Sequence, residues 1–466
     1  MTLTDARGDA VTGASARSLD LFETAVRQFQ TYSGNPVATI DAAIADSPDF
    51  AMAHSLRAWM HLLAMEAAAV PTARDSAGHA ARTAGTTRER GHAAAANLMV
   101  AGEIGHALRV LDDVLIDHPR DAVALQAAHI GDYLTGDARS LRDRVARVLP
   151  GWSSSVPGYS TVLGMYAFGL EETGAYDRAE RLGREAVALD PRDAWAQHAV
   201  AHVLEMQNRI GDGIAWMRGN QDSWTQGTLM AVHNWWHLAL FHLDHEEHDA
   251  VLALYDAQVR GTPSAVVLDM IDASALLWRL HLPGIDVGDR WSELADAWEP
   301  LAEDAFYAFN DLHAMMAFIG DGRQEAAAAL LAAQAARAKQ PGDNGWITQA
   351  VGWPLCRAFM AFGQEDYGSC LDILRAVRTT ANRFGGSHAQ RDIIDLTLLE
   401  AALRSGRTAL AAALAAERLA IKPKSRASLC LRDRTGSAAQ PALPAERRHT
   451  PRRSGLEDPG HAPPSP

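Results

Sequence analysis

Cysteine is scarce in this chain, and the signals of secretion and membrane insertion are missing. The 466 residues include three cysteines, and no two of them form a CxxC pair. An odd number of cysteines without that spacing argues against a disulfide framework or a thiolate zinc site and fits a reducing compartment. The segment 1–16 lacks the apolar core of a signal peptide, and no run of about 18 strongly apolar residues occurs. We therefore expect a cytoplasmic protein.

Basic residues are also few for a chain of this length. Lys and Arg number 43 against 57 Asp and Glu, which gives a formal net charge of -14. From Lys422 onward the balance reverses, with nine basic and four acidic residues, so the preceding chain is more acidic still. Nucleic acids and anionic membranes are bound by clustered Lys and Arg. We therefore expect a protein, peptide or small-molecule ligand, with no nucleic acid and no membrane as partner.

Strand signals are nearly absent, because no long alternation of apolar and polar residues occurs. Alanine, which favours helices and close helix packing, supplies much of the 48% apolar content. Pro48, Pro119 and Pro191 close three similar segments, and they lie 71 and 72 residues apart. That interval is about twice the roughly 34-residue tetratricopeptide period. The sequence therefore predicts an all-α protein, an α-solenoid of tetratricopeptide-like antiparallel helix pairs.

The helical pattern also predicts how the chain is divided. Residues 1–16 are expected to form a disordered N-terminal segment, and residues 17–424 a single tetratricopeptide-like helical repeat domain. Residues 425–466 are rich in Pro, Arg and Ser, and such a composition offers little apolar surface to offset the entropy of ordering. We therefore expect a disordered tail that folding does not require.

The most unusual stretch is WAQHAVAHVLEM, which places His198, His202 and Glu205 on one helix face. His233 and His237 share a face on a later helix. Two such pairs make a ligand set for a divalent metal such as zinc, iron or nickel, although the pattern is not HExxH. Glu205 is a candidate general base or a group that orients a histidine. The alternative is that these histidines only bond to neighbouring helices.

Tryptophan is concentrated near these histidines. Aromatic residues are 7% of the chain, yet 12 are Trp, and Trp195, Trp235 and Trp236 fall in this region. They either pack between helices or form the walls of an apolar ligand pocket.

Six ordered segments extend this pattern beyond a generic repeat: DHPRDAVAL, YAFGLEETGAYDRAE, DAWAQHAVAHVLEM, HNWWHLAL, FNDLHAMMA and GGSHAQRD. On these segments the chain resembles the tetratricopeptide repeat protein 38 family, from about Ser18 to Lys424. The resemblance implies a helical repeat fold and a shared interior site, and it brings no settled activity. The polar residues inside the matching segments are His198, His202, Glu205, His233, His237, Asp311, His313, Gln390, Arg391 and Asp392.

Two features depart from the family pattern. His388 occupies a position where that pattern often has asparagine. After Ile421–Ser425 the family-like helix should continue, but the sequence turns to Arg, Pro and Ser, which resembles a reading-frame change or an unrelated replacement of the last helix.

Two functions remain open from the sequence. One is a tetratricopeptide repeat protein that binds a peptide, protein or small ligand in its concave interior. The other is an enzyme with an interior His/Glu/Trp pocket, such as a metal-dependent hydrolase or oxygenase. The candidate catalytic residues are Glu205, His198, His202, His233 and His237, and the four histidines are the candidate metal ligands. The candidate ligand-binding residues are Trp195, Trp236, Asp311, His313, Gln390 and Arg391.

The segment GGSHAQRD carries a more local expectation. Gly385 and Gly386 should end one helix, and Ser387 should cap the next. Arg391 precedes an apolar run, so we expect it to point inward and pair with a carboxylate. The candidates for that carboxylate are Asp311, Asp269 and Glu205.

Overall fold

Helices dominate the part of the chain that the structure, a computed structural model, describes, which is residues 3–437. A two-stranded antiparallel hairpin, β1 Leu3–Thr4 and β2 Ala10–Val11, precedes them. The first helices are α1 Ala16–Thr31, α2 Pro36–Asp46, α3 Ala51–Leu63, α4 Val70–Thr83, α5 Thr87–Val100, α6 Ile104–Asp117, α7 Ala122–Leu134 and α8 Ala138–Val148. They are followed by α9 Tyr159–Glu171, α10 Tyr176–Leu189, α11 Ala194–Met206, α12 Ile210–Gly219, α13 Gln221–Trp224, α14 Ala231–Asp244, α15 His248–Leu254 and α16 Val267–His281. The last are α17 Arg290–Trp298, α18 Ala308–Asp321, α19 Gln324–Arg337, α20 Asp343–Ile347, α21 Trp353–Gly363, α22 Tyr367–Val377, α23 His388–Arg404, α24 Thr408–Ile421 and α25 Arg426–Ser437.

Consecutive helices pack as antiparallel pairs in two layers, as the repeat pattern predicts. Helices α7, α9, α11, α14, α16 and α18 are buried on nearly every face. Their partners α8, α10, α12 and α17 bury one stripe each. In α10 that stripe is Ala179, Gly183, Ala186 and Val187, whose small side chains allow the close approach of neighbouring helices. The all-α solenoid of tetratricopeptide-like helix pairs is therefore confirmed.

The repeated proline segments mark the boundaries between pairs. Helices α6 and α10 end just before Pro119 and Pro191. Asp121 and Asp193 then cap α7 and α11, because each side chain accepts a hydrogen bond from an early backbone N–H of its helix. Proline thus ends one helix, and the aspartate two residues later starts the next.

Segments about 250 residues apart in the sequence meet across the interior. Tyr133 Oη donates a hydrogen bond of 2.6 Å to Gln390 Oε1. Asn310 Nδ2 donates to the carbonyl oxygen of Met65 at 3.1 Å. The solenoid therefore curves until α7 and α3 lie against α23 and α18, and its inner helices share one core.

The N-terminal segment differs from our expectation of disorder. From Leu3 onward it forms the hairpin, and Asp5 on the turn lies 3.0 Å from Arg88 in a buried ion pair. Arg7 binds Glu23 at 2.9 Å. The prediction is wrong here because composition does not reveal ion pairs with distant partners.

Residues 425–437 of the C-terminal segment also differ from our expectation of disorder. Helix α25 pairs with α24, and Arg434 lies 2.8 Å from Glu400. Residues 438–466 of the predicted tail lie outside the described residues. None of the described helices is long and apolar enough to cross a bilayer.

Candidate metal centre

Two inner helices, α11 and α14, bring four histidines to one point. His198 and His202 lie one turn apart on α11, and His233 and His237 lie one turn apart on α14. The Nε2 atom of His198 is 2.8 Å from that of His202 and 3.1 Å from that of His233. One ring nitrogen from each of the four buried residues lies within 4.8 Å of the other three. Such a set of converging imidazoles is a potential metal site.

The outer nitrogens of two of these rings face carboxylates. His233 Nδ1 lies 2.9 Å from both carboxylate oxygens of Asp272 on α16. His237 Nδ1 lies 3.5 Å from Oε2 of Glu205. A carboxylate on the outer nitrogen fixes the ring orientation and makes the inner nitrogen a stronger metal ligand.

A third carboxylate faces the outer nitrogen of His202. Glu171 Oε2, at the end of α9, lies 3.7 Å from His202 Nδ1. Sequence reasoning missed both Glu171 and Asp272. The signal that could have found them is a carboxylate inside an otherwise apolar helix, since buried charges are rare unless they have a partner.

Three of the four histidines favour their neutral form. Burial lowers the pKa values of His198, His202 and His237, and the neighbouring imidazoles lower those of His198 and His202 further. These three rings are therefore neutral at pH 7, which is the form that coordinates metal.

Glu205 is held on the far side of the histidines. Burial alone would raise its pKa, but Lys422, whose Nζ lies 2.9 Å from Glu205 Oε1, and His237 lower the pKa overall. Glu205 is therefore ionised, and both of its oxygens are directed at other side chains. This arrangement suits the orientation of His237 better than general-base chemistry.

Several buried polar atoms of this cluster have no hydrogen-bond partner within residues 3–437. They are His198 Nδ1, His202 Nδ1, both ring nitrogens of His237, Glu205 Oε2 and both carboxylate oxygens of Glu171. Unpartnered buried polar atoms are costly and uncommon in proteins. A divalent cation among the four rings would satisfy His237 Nε2, the inner nitrogen of this set.

A cavity of about 370 Å³ adjoins the cluster and is mostly apolar. His198 and His233 form part of its wall, beside Trp195. Its remaining lining includes Phe29, Tyr32, Met60, Leu63, Tyr133, Ile271, Tyr307, Phe309 and Gln390. Its volume falls in the range of small-molecule pockets, roughly 300–1,000 Å³.

The predicted tryptophans lie beside the histidines. The Trp195 ring packs against His198 with centroids 4.9 Å apart, and Trp236 stacks on His233 at 5.3 Å. The Arg279 guanidinium covers Trp236, with its carbon 5.2 Å from a ring centroid. Trp195 lines the cavity, whereas Trp236 is completely buried behind His233.

The other predicted ligand-binding residues separate into two groups. Gln390 lines the cavity and is held by the Tyr133 hydroxyl. Asp311 instead accepts a hydrogen bond from Gln334 at 2.9 Å, and His313 Nδ1 lies 2.7 Å from a carbonyl oxygen of its own helix. Neither Asp311 nor His313 lines the cavity.

Arg391 points inward and pairs with a carboxylate, as expected, but the predicted partners are wrong. Its Nη2 atom lies 3.4 Å from Glu172, and its side chain is 14% exposed. The end of α9, rather than Asp311, Asp269 or Glu205, packs against the start of α23. Sequence reasoning could not place these two distant segments together.

No family model matches this sequence. Among solved structures, the chain is similar to yeast Tom70, with a TM-score of 0.32 and 13% identity over 91% of this chain and 96% of that one. It is also similar to the structure of Naa15/Naa10 bound to HypK-THB, with a TM-score of 0.24 and 12% identity over 91% of this chain and 68% of that one. The helix pairing itself, rather than these distant similarities, defines the protein as a tetratricopeptide-like helical repeat protein.

Proposed function

We propose that this protein is a metal-dependent enzyme that acts on a neutral, apolar small molecule inside its helical solenoid. The observation that carries the proposal is the convergence of four buried imidazoles beside an apolar cavity. Two carboxylates behind these rings, Asp272 and Glu205, would offset the charge of a bound cation and orient His233 and His237.

A small molecule fits this interior better than a peptide does. A peptide would need an open concave groove. In this solenoid, contacts between distant turns, such as the hydrogen bond between Tyr133 and Gln390, cross that space. The cavity of about 370 Å³ suits a compact ligand. Its lining contains no Lys or Arg, so an anionic ligand would lack a counter-charge.

The ligand number favours an oxygenase over a hydrolase. Zinc prefers four ligands, so four histidines would leave a zinc ion no position for a catalytic water. A six-coordinate ion such as Fe²⁺ would keep two positions for dioxygen and substrate. Because His198 and His233 line the cavity, an ion held by the four histidines would lie beside the apolar ligand.

Metal analysis of the purified full chain tests this proposal. We expect at least one equivalent of a redox-active ion such as iron, measured by inductively coupled plasma mass spectrometry on protein prepared without oxygen. His237→Ala should lose that ion, and Asp272→Asn should weaken its binding about 10- to 100-fold. His106→Ala is the matched control, because the side chain of His106 is exposed on α6.

Absence of metal from the wild type, or unchanged binding in His237→Ala, would contradict the metal centre. Zinc as the bound ion would keep the centre and refute the oxygenase.

We also propose that the chain is a member of the tetratricopeptide repeat protein 38 family. The resembling segments supply most of the residues of the candidate site. YAFGLEETGAYDRAE contains Glu171, DAWAQHAVAHVLEM contains His198 and His202, and HNWWHLAL contains His233 and His237. Asp272 lies outside these segments.

A further inference from the structure

Glu171 is a buried carboxylate. Its position behind His202 does not explain its surroundings. Both of its oxygens are buried, and neither has a hydrogen-bond partner among residues 3–437. The 3.7 Å between its Oε2 and His202 Nδ1 is too long for a hydrogen bond. No Lys or Arg of the described chain lies within 4.0 Å of it, in contrast to Glu205 beside Lys422. An isolated carboxylate of this kind needs a proton or a cation.

Glu172, the next residue, supplies a second carboxylate close to Glu171 and His202. One oxygen each from Glu171 and Glu172 and one nitrogen of His202 lie within 4.8 Å of one another, and all three side chains are buried. Glu172 is fixed in place, because one oxygen accepts a 2.9 Å bond from the His388 backbone N–H and the other lies 3.4 Å from Arg391.

His202 faces different groups on its two sides. Its Nε2 atom lies 2.8 Å from Nε2 of His198, within the four-histidine cluster. Its Nδ1 atom faces Glu171. An imidazole with both nitrogens directed at ligand groups can coordinate one ion through each nitrogen, once it is deprotonated.

We infer that the protein holds a second divalent ion, bound by Glu171, Glu172 and His202 Nδ1, so that His202 bridges a binuclear centre. The inference rests on the four-histidine site of the proposed function. The mixed oxygen and nitrogen ligands suit a first-row transition ion such as Mn²⁺, Fe²⁺, Co²⁺ or Zn²⁺.

A polar cavity lies next to side chains that contact Glu172 and Glu205. This cavity of about 360 Å³ is lined by His388, Arg391 and Lys422, which contact Glu172 or Glu205. The apolar cavity instead touches the four-histidine cluster at His198 and His233.

Metal stoichiometry tests the inference without knowledge of the substrate. The full chain is stripped with a chelator, reloaded with Co²⁺, freed of excess ion and analysed by mass spectrometry. We expect two ions per chain in the wild type and one in Glu171→Gln. His198→Ala should also hold one, because it removes a ligand of the first site only. Glu325→Gln, at an exposed position on α19, is the matched control and should hold two.

The outcomes separate this inference from the proposed function. One ion in the wild type, or two or none in Glu171→Gln, would overturn the second site. No ion in the wild type would overturn both. Because Gln keeps the size of Glu, metal-free Glu171→Gln should melt no lower than the metal-free wild type. A large fall in its melting temperature would show that Glu171 is structural and would also count against the inference.

Discussion

At the scale of single residues, Asp311 shows how burial alters a carboxyl group in this interior. Burial raises its pKa to about 7, and the hydrogen bond from Gln334 only partly opposes that change. The pKa of an unfolded-chain Asp is about 3.9. The folded state therefore binds more protons than the unfolded state between these values. The stability that this group contributes is fully present below about pH 4 and is lost as the pH rises through 7.

The same reasoning predicts a pH-dependent effect of Asp311→Asn. The variant keeps an oxygen for Gln334 and cannot ionise. We expect it to match the wild type near pH 4 and to be more stable at pH 8 by about 1–4 kcal/mol. Urea unfolding at both pH values measures the difference, and Asp20→Asn, at an exposed position on α1, is the control. If the difference in unfolding free energy between Asp311→Asn and the wild type were the same at both pH values, the prediction would be wrong.

At the scale of elements, the start of α23 positions Gln390 at the cavity. Ser387 caps the helix as predicted, because its hydroxyl accepts the Gln390 N–H, and the Gln390 side chain accepts the Ser387 N–H in return. Gly385 precedes the cap with φ 94° and ψ -167°, a conformation reserved for glycine. A Cβ there would lie 2.0 Å from Tyr307 Oη and 2.7 Å from the carbonyl oxygen of Leu134.

We therefore expect Gly385→Ala to destabilise the protein more than Gly406→Ala. Both glycines have positive φ, at 94° and 71°, but a Cβ at Gly406 would meet no atom within 4 Å. Gly406→Ala should cost about 1–2 kcal/mol for the left-handed backbone alone. The collision at Gly385 should add about 1–3 kcal/mol. Urea midpoints compare the two variants, and equal costs would show that Tyr307 moves aside freely.

At the scale of the whole molecule, the last helix completes the solenoid beside the candidate site. Helix α25 packs on α24 and also touches α14, the helix of His233 and His237. The Ser425 hydroxyl donates a hydrogen bond to Asp244 at the end of α14. A solenoid without such a terminal helix leaves the apolar face of its neighbour exposed.

We therefore expect truncation before α25 to destabilise the protein. A chain that ends at residue 424 should melt a few degrees below one that ends at residue 437. The chain ending at residue 437 should melt with the full chain, since the sequence of 438–466 is rich in Pro and Arg. Differential scanning calorimetry measures the melting temperatures of all three chains. Equal melting of the two truncated chains would support the original prediction that residues from 425 onward are dispensable.

The sequence by itself determined the local features of this protein. Helix type, proline boundaries and the Ser387 cap depend on residues within one or two turns of each other, so periodicity and capping rules predict them. The i, i+4 spacing likewise placed His198 with His202 and His233 with His237. Because pairs on one helix face follow from helix geometry alone, half of the candidate centre could be predicted without tertiary structure.

Only the tertiary structure decided which distant groups meet. Whether the two histidine pairs face each other depends on how α11 packs against α14. The partners Asp272, Glu171 and Glu172 come from helices whose sequences carry no mark of their neighbours. The buried ion pair of Asp5 and Arg88 ordered an N-terminal segment whose composition favours disorder. Contacts over tens to hundreds of residues depend on the curvature of the whole solenoid, which sums small rotations between repeats that no local pattern specifies.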